Sequence, residues 1–313
     1  MISCPNSCEP LNHPYQLHIV ESMALKRHKL VAVKEHQAEG EIAEIYSEIK
    51  QSLGIPHVNM VFQVFAGFPG FLPLFWNAAQ VVLETREFFS GADRLGAEAY
   101  TRMHNYFAVP DFRSRIEELQ FSPGAERELR DVVDLYHYNY PVLLLLCAAQ
   151  MQAFENPETS VRQATIIEQQ QPPARDNVIL VEEENAPAPT RRIYEDIKHT
   201  MDTPFLNTCY VNFGRWPDFL REYWDKLKPI MLTAQYQQHC RAIRDSALAL
   251  ATDLPQPLQL SISDMEQAGI SREDVNAIVQ TTDFLVDLES KQTLNMAFTK
   301  IGLEGGVRSP LAA

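Results

Sequence analysis

One stretch of sequence occurs twice in this chain, and this repeat restricts the possible folds more than any other feature. Residues 45–76 align with residues 193–224 without a gap, at an offset of 148 (194 − 46), and roughly a third of the aligned positions are identical. The identical pairs include Tyr46 with Tyr194, Pro56 with Pro204, Asn59 with Asn207, Pro69 with Pro217 and Trp76 with Trp224. Two copies of one unit predict a duplicated fold in which each half covers the apolar face of the other. A cleft between the halves is then the expected place for a site.

The apolar residues in both copies recur at helical spacing. Residues 42–53 and residues 58–65 each carry one apolar stripe, and a third helical run extends from residue 71 to about residue 89. No alternating pattern indicates a β-strand. The sequence therefore predicts an all-α fold made of two tandem pseudo-symmetric helical repeats, packed as an intramolecular pseudo-dimer.

Proline positions predict where two of these helices begin. Pro56 and Pro204 are each expected to be the first residue of a helix, because the N–H that proline lacks would have no partner there. Two such helix starts, brought together by the repeat, could hold a carboxylate through their free N–H groups and the helix dipole. They could equally be well-formed helix starts without a ligand.

Two long helical patterns close the two repeats. Residues 126–151 form one predicted helix, which Pro141 should kink, and Ser271 caps another that runs to about Lys300. If the two repeats correspond throughout, Asp283 of the second helix faces Tyr140 of the first.

Composition divides the chain into five segments. The residues between the two repeats are rich in proline, glutamine and acidic side chains, which is typical of a linker. Met23 is an alternative start of translation, with the preceding residues as a loose extension. The predicted segments are an N-terminal extension (1–38), a first helical repeat (39–154), a linker (155–190), a second helical repeat (191–303) and a C-terminal tail (304–313).

Charge and cysteine content restrict the partners of the protein. The formal net charge of −14 leaves no basic field for a nucleic acid, so an anionic substrate must be held by a local arrangement. Five cysteines, odd in number and irregularly spaced, fit a reducing compartment. The longest apolar run, residues 142–149, is far shorter than the ~20 residues that cross a bilayer, and the N-terminus lacks the pattern of a signal peptide. We expect a cytoplasmic protein with no membrane partner, and a homodimer is possible.

Three residues are candidates for chemistry in the cleft. Cys209 lies on the apolar stripe of the second repeat, either as a packed small hydrophobe or as a thiol activated by a nearby helix start. His57 and Tyr140 would face the cleft, although both residue types are common in purely structural roles. Neither a metal nor a cofactor is expected, because no pair of His or acidic residues has ligand spacing and no nucleotide-binding loop is present.

The repeated pattern resembles that of the group I 2-haloacid dehalogenases, which act on both D- and L-2-haloacids. The likeness lies in the pattern P-x-[VL]-N-x-x-[FY] with its aromatic-proline corner in each repeat, and in the sequence NYPVLLLL at residues 139–146. It covers most of the chain, from about residue 39 to about residue 300. The resemblance implies a single-chain all-α pseudo-dimer with a buried site, in which an aspartate activates a water molecule. That water displaces halide directly at Cα of a small anionic organic substrate, with inversion and no ester intermediate.

The resemblance also implies the roles of particular residues, and the chain diverges at the catalytic positions. The catalytic aspartate of the family corresponds to Cys209, and an asparagine that helps to hold water and substrate corresponds to Tyr140. We therefore interpret Cys209 and Tyr140 as the catalytic residues. The predicted substrate-binding residues are His57, Met60, Asn139 and Thr208.

Three functions are consistent with this pattern. The interpretation adopted is a 2-haloacid dehalogenase-like hydrolase in which water displaces halide at Cα. The first alternative is an enzyme of different chemistry that uses Cys209 as its nucleophile. The second is a non-catalytic relative that binds a small molecule or a protein partner.

Overall fold

The computed structural model describes residues 30–157, 160–167 and 178–307, and this part of the chain is helical. Beside a short 3-10 helix at Glu35–Gln37, its extended pairing is limited to two isolated bridges, Thr85 with Ile166 and Val109 with Val307. The α-helices are α1 (Gly40–Leu53), α2 (Met60–Ala66), α3 (Phe71–Leu83), α4 (Arg86–Tyr106), α5 (Phe112–Glu118), α6 (Pro123–Glu155), α7 (Ala188–Met201), α8 (Thr208–Phe213), α9 (Pro217–Met231), α10 (Ala234–Asp253), α11 (Ile262–Gln267) and α12 (Arg272–Leu303).

The two longest helices, α6 and α12, pack against each other through the core. Both begin at a serine whose hydroxyl accepts a hydrogen bond from the third helical N–H group, at Ser122 and at Ser271. Residues 139–151 of α6 and residues 292–299 of α12 are buried without interruption, because other helices cover them on every side. This pair of helices is therefore the frame on which the interior polar groups are placed.

Helix α4 packs closely on α6 near the predicted kink. The α6 helix continues through Pro141 to Glu155. A Cβ atom at Gly96 would lie 3.3 Å from the Pro141 ring, and one at Gly91 would lie 2.9 Å from the Leu145 side chain. Glycine at these two positions lets the α4 backbone approach the proline-containing segment of α6, and the neighbouring Tyr140 is held in a tightly packed region.

Equivalent hydrogen bonds occur in both copies of the repeated sequence. In each copy a buried tyrosine hydroxyl donates to a main-chain carbonyl, and a tryptophan indole N–H donates to a carboxylate on the first helix of that copy, α1 or α7. The bonds are Tyr46 to Val33 (2.7 Å), Tyr194 to Val181 (2.9 Å), Trp76 to Glu48 (2.8 Å) and Trp224 to Asp196 (2.7 Å). The identities shared by the two sequences therefore serve the same local contacts.

The predicted helix starts at Pro56 and Pro204 are wrong. Helix α2 begins at Met60 and α8 at Thr208, and their N-caps are asparagines with extended backbones rather than the prolines. Each proline lies in the bend before its helix, four residues from the first helical residue. The proposed carboxylate site at two proline-led helix ends therefore has no basis in the structure.

The end of the third helical run also differs from the prediction. Helix α3 stops at Leu83 rather than near residue 89, because Thr85 leaves the helix and caps α4 with its hydroxyl.

The predicted linker, residues 155–190, makes backbone contacts with both repeats where it is described. The N–H of Ile167 donates to the carbonyl of Glu84, and the N–H of Val181 donates to the carbonyl of Val211. Helix α7 begins at Ala188, three residues before the predicted start of the second repeat at 191. These contacts bring the end of the linker to the region where the two repeated sequences meet.

Of the described residues, only the helix Pro123–Glu155 is long and apolar enough to cross a membrane. Within the protein, 83% of its apolar window is buried. Such burial is typical of the core helix of a soluble protein.

Candidate active site

The two predicted catalytic residues are in contact. Cys209 is the second residue of α8, and its backbone N–H donates to the hydroxyl oxygen of Tyr140 on α6 over 3.3 Å. Both side chains are fully buried. The structure thus joins residue 140 of the first repeat to residue 209 of the second repeat in the interior.

A chain of aromatic contacts connects His57 to this pair. The ring of Tyr140 stacks on that of Tyr136, with centroids 5.5 Å apart and an interplanar angle of 19°. The hydroxyl of Tyr136 lies 3.1 Å from Nε2 of His57. Burial lowers the pKa of His57 to about 4, so the imidazole is neutral at pH 7.

Glu289 on α12 is a functional candidate that the sequence analysis missed. Its side chain is completely buried, and the side-chain N–H of Asn207 donates to its Oε1 over 3.4 Å. Its Oε2 has no hydrogen-bond partner among the described residues. Burial raises the pKa of this carboxyl group to about 8.

Gln292 lies one turn after Glu289 and faces the same helix, α8. The thiol of Cys209 donates to Oε1 of Gln292 with a separation of 3.8 Å, and Nε2 of Gln292 has no hydrogen-bond partner in the part of the chain that the structure describes. We refer to these interior side chains as the central polar cluster. Its members are Tyr140, Asn207, Cys209, Glu289 and Gln292.

The cluster does not favour a thiolate. Burial raises the pKa of the Cys209 thiol well above its ordinary value, and the nearby Glu289 carboxylate raises it further. The same carboxylate also raises the pKa of Tyr140. Cys209 is therefore a neutral thiol at physiological pH.

The register of the two long helices explains why Glu289 was missed. The sequence analysis placed Asp283 opposite Tyr140, and this expectation is wrong. Asp283 instead binds Arg244 through a 2.6 Å ion pair on a partly exposed face. Counted from the N-cap serines, Glu289 (289 − 271 = 18) is the residue that corresponds to Tyr140 (140 − 122 = 18). A count from Ser122 and Ser271, both visible in the sequence, would have found it.

A cavity of about 280 Å³ lies at the junction of the two repeated sequences. Met60 and Thr208, both predicted to bind substrate, line it. Three of the ionisable side chains around it are acidic, in the set Lys34, Glu35, His36, Glu182 and Glu183. Thr208 precedes Cys209 directly, so the cavity reaches the N-terminal end of α8 beside the central polar cluster.

The remaining predicted substrate-binding residue, Asn139, is buried on α6. Its side chain is 1% exposed, and in the described ranges neither its Oδ1 nor its Nδ2 has a hydrogen-bond partner. An unpaired buried amide is costly, since its lost hydrogen bonds with water are not replaced. Asn139 thus retains hydrogen-bonding capacity in the interior.

In the three described ranges, no group of three or more His, Cys, Asp or Glu side chains is arranged to hold a metal ion. The chemistry available in the central polar cluster is that of one carboxyl group, two amides, one phenol and one thiol. Such a set can orient a small polar molecule and can accept a proton through the carboxylate.

The sequence and fold of this chain are similar to those of known halocarboxylic acid enzymes. A sequence model of the family described as Halocarboxylic acid dehydrogenase DehI matches residues 56–210. The (R)-2-haloacid dehalogenase of Pseudomonas putida is 28% identical over 273 residues, which cover 86% of this chain and 91% of that enzyme. The (R)-2-haloacid dehalogenase of Rhizobium sp. (strain NHG3) is 26% identical over 241 residues, which cover 77% of this chain and 93% of that enzyme.

A solved structure of a dehalogenase is similar to this chain in fold as well as in sequence. A D-2-haloacid dehalogenase mutant in complex with D-2-CPA superposes with a TM-score of 0.82 at 27% identity. The match covers 88% of this chain and 96% of the other. The chain is therefore similar in sequence to the DehI halocarboxylic acid enzymes and, in sequence and fold, to 2-haloacid dehalogenases.

These relatives confirm the predicted all-α fold and the predicted enzyme class, a dehalogenase-like hydrolase. They are named for (R)- or D-2-haloacids, so the predicted group I class, with use of both enantiomers, stays a prediction. Neither alternative function gains support. The raised pKa of Cys209 disfavours it as a nucleophile, and the relatives are enzymes rather than binding proteins.

Proposed function

We propose that this protein hydrolyses the carbon–halogen bond of small 2-haloalkanoic acids at the central polar cluster. The observation that carries the proposal is a buried carboxyl group, Glu289, beside amide groups that have unused hydrogen-bonding atoms, in a relative of 2-haloacid dehalogenases. Buried unpaired polar groups and strongly shifted pKa values are characteristic of functional sites.

The reaction replaces the halogen at Cα with the hydroxyl group of water. The water oxygen forms a bond to Cα while the carbon–halogen bond breaks with its electron pair. The products are a 2-hydroxy acid, a halide ion and a proton. The enclosed cluster favours this displacement because fixed donors and acceptors, instead of mobile solvent, position the substrate and one water.

The predicted site residues supply the remaining contacts. We propose that the unused amide of Asn139 and the hydroxyl of Thr208 bind the substrate carboxylate. Cys209, as a neutral and weakly polar side chain, would adjoin the substituent at Cα. The other residues proposed to form the pocket walls are His57, Met60 and Tyr140.

The expected substrate is (R)-2-chloropropionate, and inversion would convert it to (S)-lactate. The choice of enantiomer follows the names of the relatives. Direct displacement requires only that water approach opposite the halogen, so turnover of the (S)-enantiomer as well would extend the protein to the predicted group I class.

The test is release of chloride from (R)- and from (S)-2-chloropropionate, followed by chiral analysis of the lactate. We expect chloride and lactate in equal amounts and inverted configuration. The matched control is Glu195→Gln, which removes one exposed negative charge outside the buried cluster and should keep the wild-type rate. Absence of chloride release from both enantiomers by folded wild-type protein would refute the proposed function.

A further inference from the structure

We infer that Glu289 is the general base of this reaction, taking the proton of the attacking water in place of an aspartate at position 209. The inference rests on the proposed hydrolysis. It concerns a residue outside the 56–210 segment that the family model matches.

The position of Glu289 is the first argument. It lies in the buried middle of α12, where Asn207 contacts its Oε1 and Gln292, one turn further on, contacts the thiol of Cys209. A carboxylate on α12 thus borders the position at which the resemblance expects a carboxylate on α8. In this chain the proton acceptor would therefore be supplied by α12 instead of α8.

The lack of a structural partner is the second argument. Within the described residues no Lys, Arg or His forms a salt bridge with Glu289, and its Oε2 has no hydrogen-bond donor. A carboxylate that only supports a fold is normally paired, because an isolated buried charge is expensive. An unpaired oxygen in a polar interior is available to a water molecule.

The other candidate bases are less suited. The Cys209 thiol is neutral, and the Tyr140 phenol is neutral as well because burial raises its pKa well above the ordinary value. The described contacts link His57 to the cluster through Tyr136 and Tyr140, and its low pKa makes it a weak base. Glu289 has a pKa close to the working pH, which suits proton transfer.

The proton-transfer step is balanced as follows. As the water oxygen bonds to Cα and the halide leaves with the carbon–halogen electron pair, one water proton moves to Oε2 of Glu289. The neutral carboxylic acid then releases this proton to solvent, which restores the carboxylate for the next turnover.

The experiment compares wild type, Glu289→Gln, Glu289→Asp and the control Glu195→Gln with (R)-2-chloropropionate between about pH 5 and about pH 10. We expect kcat/KM of the wild type to rise with pH around a midpoint near 8. Glu289→Gln should lower kcat by roughly 10²–10⁴-fold, with KM changed by less than about threefold, since glutamine keeps the shape but cannot accept the proton.

Glu289→Asp tests whether a carboxylate as such is required. It should retain more activity than Glu289→Gln and keep a rise of kcat/KM with pH, because the acid is kept and only its reach is shortened. This variant also covers the case in which Glu289→Gln does not fold. If Glu289→Asp keeps the wild-type rate but its kcat/KM no longer rises with pH, the assignment is overturned.

The outcomes separate the two proposals. A wild type that releases chloride, together with a Glu289→Gln variant within about tenfold of its kcat, overturns Glu289 as the base and leaves the hydrolysis standing. A wild-type kcat/KM that is already constant from about pH 5 also contradicts the assignment and points to a base of low pKa such as His57. A wild type that releases no chloride from either enantiomer removes both proposals.

Discussion

A carboxyl group that is buried without a basic partner makes stability depend on pH in a definite direction. Glu289 has an ordinary pKa of 4.5, and burial raises it to about 8 in the folded protein. Between these two values the folded state binds more protons at this site than the unfolded state does. The stabilising contribution is therefore complete below pH 4.5 and is lost as the pH rises through 8.

Glu289→Gln is expected to remove this dependence. The variant should gain stability relative to the wild type as the pH rises from about 5 to about 8, because glutamine never acquires the buried charge. At about 1.4 kcal/mol for each pKa unit between 4.5 and 8, the gain has an upper bound of about 5 kcal/mol. Denaturant melts at several pH values measure it, and Glu195→Gln should follow the wild type. Parallel curves for Glu289→Gln and wild type would show that Glu289 is ionised normally.

The identity of individual residues alone did not reveal the candidate active site. Cys209 and Tyr140 were found because they occupy positions that the resemblance marks, and the structure brings them together. Glu289 occupies no such position, and among 41 Asp and Glu residues it is marked in the sequence only by its distance from Ser271, which equals that of Tyr140 from Ser122. Its importance comes from burial on all sides, which depends on how α12 packs against α6 and α8.

The helices were predictable from the sequence where apolar spacing defines them. The residues at which the helices begin and end were less predictable. The spacing predicted the long closing helices, and the N-cap at Ser271 is where the sequence placed it. The starts at Pro56 and Pro204 were wrong because proline restricts only its own φ angle and that of its neighbour, whereas the chain stays extended to the asparagine N-caps. At Asn207 the side chain contacts Glu289 instead of capping the helix, a tertiary contact that local sequence does not encode.

The tryptophans that close the two repeated units give a prediction at the level of elements. Trp76 and Trp224 are buried, and each donates its indole N–H to a carboxylate on the first helix of its repeated unit. Trp76→Ala and Trp224→Ala should each lower the free energy of unfolding by about 3–5 kcal/mol, because each removes a large buried aromatic side chain.

Denaturant melts of the two tryptophan variants test this estimate. Leu232→Ala is the control, since that side chain is 67% exposed and should cost less than about 0.5 kcal/mol. A cost below about 1 kcal/mol for both tryptophan variants would mean that these units do not form equivalent parts of the core.

The molecule as a whole is acidic, although the proposed substrate is an anion. The net charge is −14, and the side chains around the cavity at the junction of the repeats include Glu35, Glu182 and Glu183 against Lys34. The intramolecular pseudo-dimer and the cytoplasmic location stay predictions. The equivalent hydrogen bonds in the two copies of the repeated sequence are consistent with the pseudo-dimer. An acidic exterior implies that the substrate is bound by local donors after it has overcome a repulsive field.

This repulsion predicts an unusual salt dependence. From about 10 mM to about 0.1 M ionic strength the screening length falls from about 30 Å to about 10 Å, so the field of the protein reaches less far into solution. We expect kcat/KM for (R)-2-chloropropionate to rise about two- to threefold over this range, with sodium sulfate as the salt so that the chloride product is not added. The value of kcat should stay constant, because salt does not enter the buried cluster, and this constancy is the internal control. A kcat/KM that falls with ionic strength would contradict the expectation. It would mean that a local basic group, with Lys34 as the first to test, attracts the anion more strongly than the whole molecule repels it.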